Sequence, residues 1–261
     1  MAEADVVIAW YHGAIPDSVK PAFARPTKFV NLPNPDNWGQ TLAEFNFGSP
    51  AASIVAKYAP GTTILRVAYL GFSASCQGLA QVLTSGDGGK VDAILAVDGL
   101  HVGYLNKQRS QGPNPASMAP WFQFAVRAGL NDRLFVDTHS SVVPPGYAST
   151  TETANYLWDK LTNASPAATD PPVPDLSIPP TSITTSVNGP TRTVQYPAPQ
   201  WQPHKRRGGL VILGCDDLDP TGTTDHVYQG KYVLPLVLTQ FLAARWNAMD
   251  PHDLGASLYT G

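Results

Sequence analysis

Gly71-Phe72-Ser73-Ala74-Ser75 is the stretch of this chain whose residue types best suit covalent chemistry. It follows an apolar run, Ile64 to Leu70, that reads as a strand, and it precedes Cys76 to Leu83, which reads as a helix. A serine on a tight strand-to-helix turn stands proud of the backbone, with the first N–H groups of the helix beside it. Attack by such a hydroxyl needs a base to take its proton and a third group to fix the base's tautomer. It also needs N–H donors where negative charge develops on the substrate oxygen.

His226 is the best placed of the six histidines to be the base. It lies in the loop after Leu210 to Gly214, the last apolar strand-like run, where strand C-terminal ends collect reacting groups in an open parallel sheet. Asp98 and Asp137 compete for the orienting carboxylate, each at the end of a strand-like run. Gly99 behind Asp98 frees the turn geometry and favours Asp98, whereas Asp137 reads as a cap for its own following loop. The Ala74 amide is the first candidate for the oxyanion hole, and the Gly13 and Ala14 amides, after the first strand, are candidates for the second donor. Tyr11, His12, Phe72 and His139 fall at the same edge and are read as bordering the substrate, with His12 orienting its loop. Trp10, Tyr104, Trp121 and Phe122 also fall near strand ends, which suggests a moderately apolar acyl group.

The elements that must position these groups follow from hydrophobic pattern. Val6 to Tyr11 is an almost unbroken apolar run, as expected of a strand buried on both faces. Strands are predicted over 64–70, 91–97, 133–137 and 208–214, and helices over 51–58, 75–84, 119–129 and 150–161. A long helix over 228–246 should break near Pro235. Strand alternating with helix specifies a mostly parallel sheet covered on both faces, an α/β architecture within a single domain over 1–261. Residues 164–203 interrupt the pattern with many prolines and read as a surface excursion or lid, with a small hairpin around Asn188-Gly189.

Composition narrows the function classes. Seventeen Lys and Arg against twenty Asp and Glu leave a formal charge of −3, so no whole-molecule field attracts nucleic acid. No apolar run approaches the length of a bilayer span, and the acidic residues near Met1 do not suit a signal peptide, so a soluble protein without Sec-type export is expected, in a compartment left open. Cys76 and Cys215 read as small core residues rather than a disulfide or metal pair. Asp216, Asp217 and Asp219 with Asp225 are rich in oxygen but lack the spacing of a calcium loop, and neither metal nor cofactor is expected.

Taken together, His12-Gly13 after a strand, the Gly-x-Ser-x-Ser turn, an aspartate after a later strand and a final histidine resemble the α/β-hydrolase superfamily of serine esterases and lipases. That resemblance runs through residues 6–246 by order of elements, with three departures: Ser75 replaces the second glycine, the family's first two strands are missing, and residues 164–203 replace a regular element. It implies a carboxylic ester hydrolase in which Ser73 is acylated, His226 shuttles protons, Asp98 or Asp137 orients His226, and Ala74 with Gly13 holds the oxyanion. Two alternatives stand beside it. One is a noncatalytic component of a larger assembly, for which an exposed first strand would offer a pairing edge. The other is an esterase acting on a cell-envelope lipid or polymer, with 164–203 as its recognition surface.

Overall fold

The computed structural model describes residues 2–10, 14–32, 50–164, 176, 178–186, 190–196, 201–215 and 224–251. Its strands are β1 (Ala2–Trp10), β2 (Thr27–Asn31), β3 (Thr62–Phe72), β4 (Ala93–Val97), β5 (Leu134–His139), β6 (Thr181–Thr185), β7 (Arg192–Tyr196), β8 (Trp201–Arg207) and β9 (Leu210–Cys215). Its helices are α1 (Pro50–Tyr58), α2 (Cys76–Thr84), α3 (Pro115–Gly129) and α4 (Thr150–Ala164), with a final helical run, α5, over 224–248. Seven strands form one sheet in the order β2-β1-β3-β4-β5-β9-β8, parallel throughout except for the β8–β9 pair. This is the α/β architecture that the alternation of patterns implies.

Successive side chains of a strand point to opposite faces, so the continuous apolar runs of β1, β3, β4 and β5 feed two cores at once. Val6, Ile8, Tyr69, Ile94 and Phe135 pack with Ile54, Leu79, Trp121 and Leu157 from α1 to α4 on one face. Val7, Leu70, Leu95 and Val136 pack with Tyr228, Val237, Leu238 and Trp246 of α5 on the other. Parallel register aligns the C-terminal ends: Trp10 pairs with Gly71, Phe72 with Val97, Val97 with Thr138, and His139 with Gly214. A buried ion pair sets the far end of α5. Arg66 of β3 holds Asp5 of β1 through Nε at 2.9 Å and donates from Nη1 to the carbonyls of Trp246 and Met249, at 3.1 and 3.0 Å.

Three details differ from the pattern-based expectation, and one, the hairpin, agrees with it. β2 pairs in parallel with β1 on the side away from β3, so β1 is interior and the sheet edges are β2 and β8; the first strand offers no pairing edge for an oligomer. Thr27–Asn31 is short and buries only Val30, so its edge position leaves it without an apolar run to announce it. The excursion ends before 203, because Trp201–Arg207 is already back in the sheet. Pro203 is tolerated there because β8 is an antiparallel edge strand whose register shifts between Gln202 and Lys205. The predicted hairpin pairs Thr181 with Tyr196 through Thr185 with Arg192, while Asn188 and Gly189 lie outside the described residues. Finally, α5 runs on through Pro235, because wider π turns at Gln229–Val233 and Val237–Ala243 flank it and absorb the missing N–H. No helix among the described residues is long and apolar enough to cross a membrane.

Candidate active site

Ser73 is the first residue after β3 and takes φ 61°, a left-handed conformation that costs a non-glycine residue on the order of 1–3 kcal/mol. The chain then makes one tight turn, Ser73–Ser75, and enters α2, with the Cys76 amide donating to the carbonyls of Ser73 and Ala74. Such strain survives only where neighbours over-determine it, and two close approaches do so here. A Cβ at Gly99 would lie 2.1 Å from the Ser73 carbonyl oxygen and 2.8 Å from its nitrogen, so the residue after Asp98 must be glycine to let the loop lie flat against the turn. A Cβ at Gly71 would meet Cys76 Sγ and Leu79 at 3.0 Å. Gly99 is therefore required by contact rather than by turn freedom; it is Asp98 itself that takes the positive φ, at 41°.

Ser75 explains its own departure from glycine. Its buried hydroxyl accepts the Phe72 N–H at 2.7 Å and lies 2.8 Å from the Trp10 carbonyl and 2.5 Å from the Phe72 carbonyl as donor. The side chain thus closes the turn on itself and ties it to the end of β1, which a glycine cannot do.

His226 enters from the first turn of α5, and its Nδ1 lies 2.6 Å from Asp98 Oδ2. A carboxylate can only accept, so Nδ1 carries the proton and Nε2 is left as the basic nitrogen. The imidazole stacks on Phe72, with centroids 4.6 Å apart and planes 20° apart, and Gly230 leaves room for that ring, since a Cβ there would come within 2.8 Å of it. Phe72 precedes Ser73 in the chain and Gly99 presses against it in space, so the histidine's platform and the acid's loop converge on the serine's turn. Phe72 is 8% exposed, so it carries His226 rather than opening to solvent.

Asp98 is held from three directions: Oδ1 accepts the Ser140 N–H at 2.9 Å and the Thr150 hydroxyl at 2.7 Å, and Oδ2 takes His226. Burial alone would raise its pKa, but the hydrogen bond and charge of His226, joined by Thr150 and Ser140, outweigh burial and hold the carboxyl well below the usual range. Thr150 is free for this task because Ser149 and Glu152 make the reciprocal cap of α4: Glu152 Oε2 takes the Ser149 N–H at 2.8 Å, and the Glu152 N–H reaches Ser149 Oγ at 3.2 Å.

Asp137 lies inside β5 on the same face as Phe135, toward α1 to α4, fully buried, with no hydrogen-bond partner for either carboxylate oxygen. It does not cap the following loop. Burial and the charge of Asp98 push its pKa well above the ordinary value, and it is not in contact with His226. The Cys76 thiol, buried beside these carboxylates, is likewise pushed far up by burial, then by Asp137. His139 donates from Nδ1 to Thr151 Oγ1 at 3.0 Å, because that hydroxyl spends its own proton on the Ser140 carbonyl at 2.9 Å; burial lowers the ring's pKa to about 4.

Ala74 is half-buried beside Ser73, and Ala14 is exposed after β1. Tyr11, His12 and Gly13 lie outside the described residues, as do Asp216, Asp217 and Asp219. Among the described residues no cluster of three or more His, Cys, Asp or Glu could hold a metal. Trp10 and Trp121, each 2% exposed, and Tyr104, at 8%, belong to the core, so they do not form the open acyl pocket that their positions suggested.

Sequence reasoning missed a second layer behind His226. Asp225, fully buried, takes the Tyr196 hydroxyl at 2.5 Å and the Ser141 hydroxyl at 2.6 Å, and Tyr196 stacks on Tyr228 with centroids 4.4 Å apart. Thr181 donates to Tyr232 Oη at 2.8 Å, so both strands of the β6–β7 hairpin grip the helix that bears His226. Only the adjacency of Asp225 to His226 signals this in the sequence. A scan against protein-family models gives no match, and neither does a search of curated protein sequences.

Proposed function

We propose that this chain is a serine hydrolase that cleaves a carboxylic ester through an acyl-enzyme intermediate. The observation that carries the reading is the 2.6 Å contact of His226 Nδ1 with the Asp98 carboxyl, on a loop whose Gly99 packs against a serine held at φ 61° on a strand-to-helix turn. An anchored Nδ1 leaves Nε2 to take the Ser73 proton as Oγ attacks the ester carbonyl. The carbonyl oxygen becomes an oxyanion, which the Ala74 amide at the entrance of α2 faces, with Ala14 or Gly13 as the second donor. His226 then returns the proton to the alcohol as it leaves, and a water, deprotonated by the same nitrogen, releases the acid. Asp98 keeps the ring oriented and stabilises its charged form; no cofactor enters the scheme.

A fluorophosphonate probe tests this directly. The expected result is stoichiometric modification of Ser73, together with hydrolysis of p-nitrophenyl acetate that Ser73→Ala lowers by about 10³-fold or more. A folded Ser73→Ala protein that retains full activity would overturn the reading, and absence of any labelling in the wild type would favour a noncatalytic role.

A further inference from the structure

A cavity of about 390 Å³ opens between α2, α3 and the loop 101–103, within the size range of small-ligand sites, roughly 300–1,000 Å³. Two helical stripes form its long walls. Gln77, Gln81 and Thr84 recur at helical spacing along α2, and Ser117 and Trp121 do so along α3. His101 closes one end. No Asp, Glu, Lys or Arg is among its lining residues, and no long aliphatic side chain beyond Val102 contributes to it. Side-chain amides, hydroxyls and an imidazole thus take the place of the charges that would select an ion, while Ala80, Val102, Ala116, Pro120 and the largely buried Trp121 supply the apolar part of the wall.

The cavity shares two elements with the proposed catalytic centre, α2 and the loop after Asp98, although Ser73, Ala74 and His226 are not among its lining residues. Gln77 is four residues past Ser73, one turn into the helix that starts at the serine's bend. His101 donates its N–H to the Gly99 carbonyl at 2.8 Å, and Gly99 is the residue pressed against the Ser73 backbone. The His101 ring feels the charges of both Asp98 and His226. Its Nδ1 donates to the Ala148 carbonyl at 3.2 Å, which leaves Nε2 as an acceptor, and burial keeps the ring neutral by lowering its pKa. Gln81 lines the cavity while its side-chain oxygen lies buried without a hydrogen-bond partner, so turning that oxygen toward a ligand hydroxyl breaks no bond it makes.

We propose that this cavity binds the alcohol portion of the substrate, and that this portion is a polyhydroxylated ring, which makes the protein an esterase of acylated saccharides. The inference rests on the serine hydrolase reading for its chemistry. Uncharged groups that can each donate or accept match the alternating hydroxyls of a sugar, and a site built to satisfy hydroxyls discriminates against an alcohol that lacks them, because the site's own polar groups are then left unpaired.

Three esters that share an acyl group isolate the alcohol. Methyl 6-O-butyryl hexosides, as the gluco and galacto epimers, are compared with ethyl butyrate. The expected kcat/KM for the better hexoside exceeds that for ethyl butyrate by about tenfold or more, and Gln77→Ala with Gln81→Ala lowers that ratio by about tenfold. Ser117→Ala, on the opposite wall, should lower it by about threefold. Equal rates on all three esters, or a ratio that the variants leave unmoved, overturns the proposal. A separate measurement keeps it apart from the hydrolase reading: the Ser73→Ala protein is titrated with methyl glucoside and methyl galactoside while backbone amide shifts are followed by NMR. Shifts confined to residues 77–84, 101–103 and 116–121 support the cavity even if Ser73 proves inert. Absence of shifts up to roughly 100 mM sugar overturns it even if Ser73 is a nucleophile.

Discussion

Asp98 and Asp137 stand on neighbouring strands, Asp98 just past the end of β4 and Asp137 opposite Ala96 in the register of β4 with β5. Both are fully buried, and both belong to the C-terminal half of the sheet. Asp98 meets an N–H, a hydroxyl and an imidazole, and burial, which by itself would keep it neutral, loses to those donors. Asp137 meets no donor at all, so burial wins, and the charge on Asp98 pushes it the same way. Two carboxyls of identical chemistry thus have their pKa values driven in opposite directions within one sheet edge. The difference lies in where each sits on its strand: a residue past the strand end can turn toward loops and α5, whereas a residue inside the strand points at packed helices.

Exchanging each carboxyl for an amide breaks this contrast most sharply. Asp98→Asn offers Nδ1 an amide that can present a donor to a donor, which frees the ring to take the wrong tautomer. A drop of about 10⁴-fold in kcat on an activated ester is expected, with Ser73 still labelled slowly by fluorophosphonate. Asp137→Asn should leave kcat within about twofold, since that group touches no reacting atom. The assignment of roles fails if the two variants change kcat by similar factors.

Gly99→Ala acts on the loop that carries Asp98 without altering any titrating group. Its Cβ would need the space of the Ser73 carbonyl, 2.1 Å away, so either the acid's loop lifts or the serine's turn relaxes. Misplacement of that size costs about 10²-fold in kcat, and the overpacking costs roughly 1–3 kcal/mol of stability. A Gly99→Ala protein with full activity would show that the tight packing of Asp98's loop on the serine's turn is dispensable.

The α/β class, most of the strand and helix positions and the strand-to-helix setting of Ser73 are legible in the chain, because buried parallel strands leave unbroken apolar runs and the turn carries its own small residues. β2 and β8 are not. Both are edge strands with partly exposed or polar residues, and β8 carries Pro203, which argues against a strand anywhere but an edge. Asp98 and Asp137 are separable only weakly, since local context shows where a carboxyl sits and not what donors meet it. The donors come from residues 140 and 150 and from α5, distant in sequence, and Tyr196 reaches Asp225 from a hairpin whose flanks read only as proline-rich. Aromatic residues near strand ends pointed to a pocket, but Trp10, Tyr104 and Trp121 are the large side chains that fill the core where sheet and helices converge.

Stability against pH separates the buried groups in a second way. Asp137 has a folded pKa above its unfolded value, so its carboxyl favours the folded state fully only below the ordinary carboxylate range and opposes it as pH rises. Above that range, stability falls by up to about 1.4 kcal/mol per pH unit until the folded group ionises. Asp137→Asn removes this slope and should raise Tm more at pH 8 than at pH 5. His139 acts on the acid side with the opposite sign. Its folded pKa is near 4 against an ordinary 6.5, so between those values the unfolded chain binds the proton first and stability is lost as pH falls. That window is worth about 2–3 kcal/mol, and His139→Gln should flatten it. Denaturant midpoints at pH 4.5, 6.5 and 8 resolve both slopes, and wild-type-like slopes in either variant would contradict the burial that sets them.

The smallest effect concerns a third buried aspartate. Asp225 has the partners that Asp137 lacks, the hydroxyls of Tyr196 and Ser141, yet the His226 Nδ1 bond goes to Asp98 and not to it. Its contribution to the site is therefore through the backbone: it pins the first turn of α5 to the β6–β7 hairpin on one side and to the loop after β5 on the other. Tyr196→Phe removes one of those pins while keeping the ring that stacks on Tyr228. A loss of about 1 kcal/mol in stability is expected, together with a three- to tenfold fall in kcat at unchanged KM, because the imidazole then samples orientations away from the serine. If stability falls and kcat does not, the hairpin braces the fold alone. If KM rises instead, the hairpin touches substrate, and its grip on α5 is incidental to how the histidine is aimed.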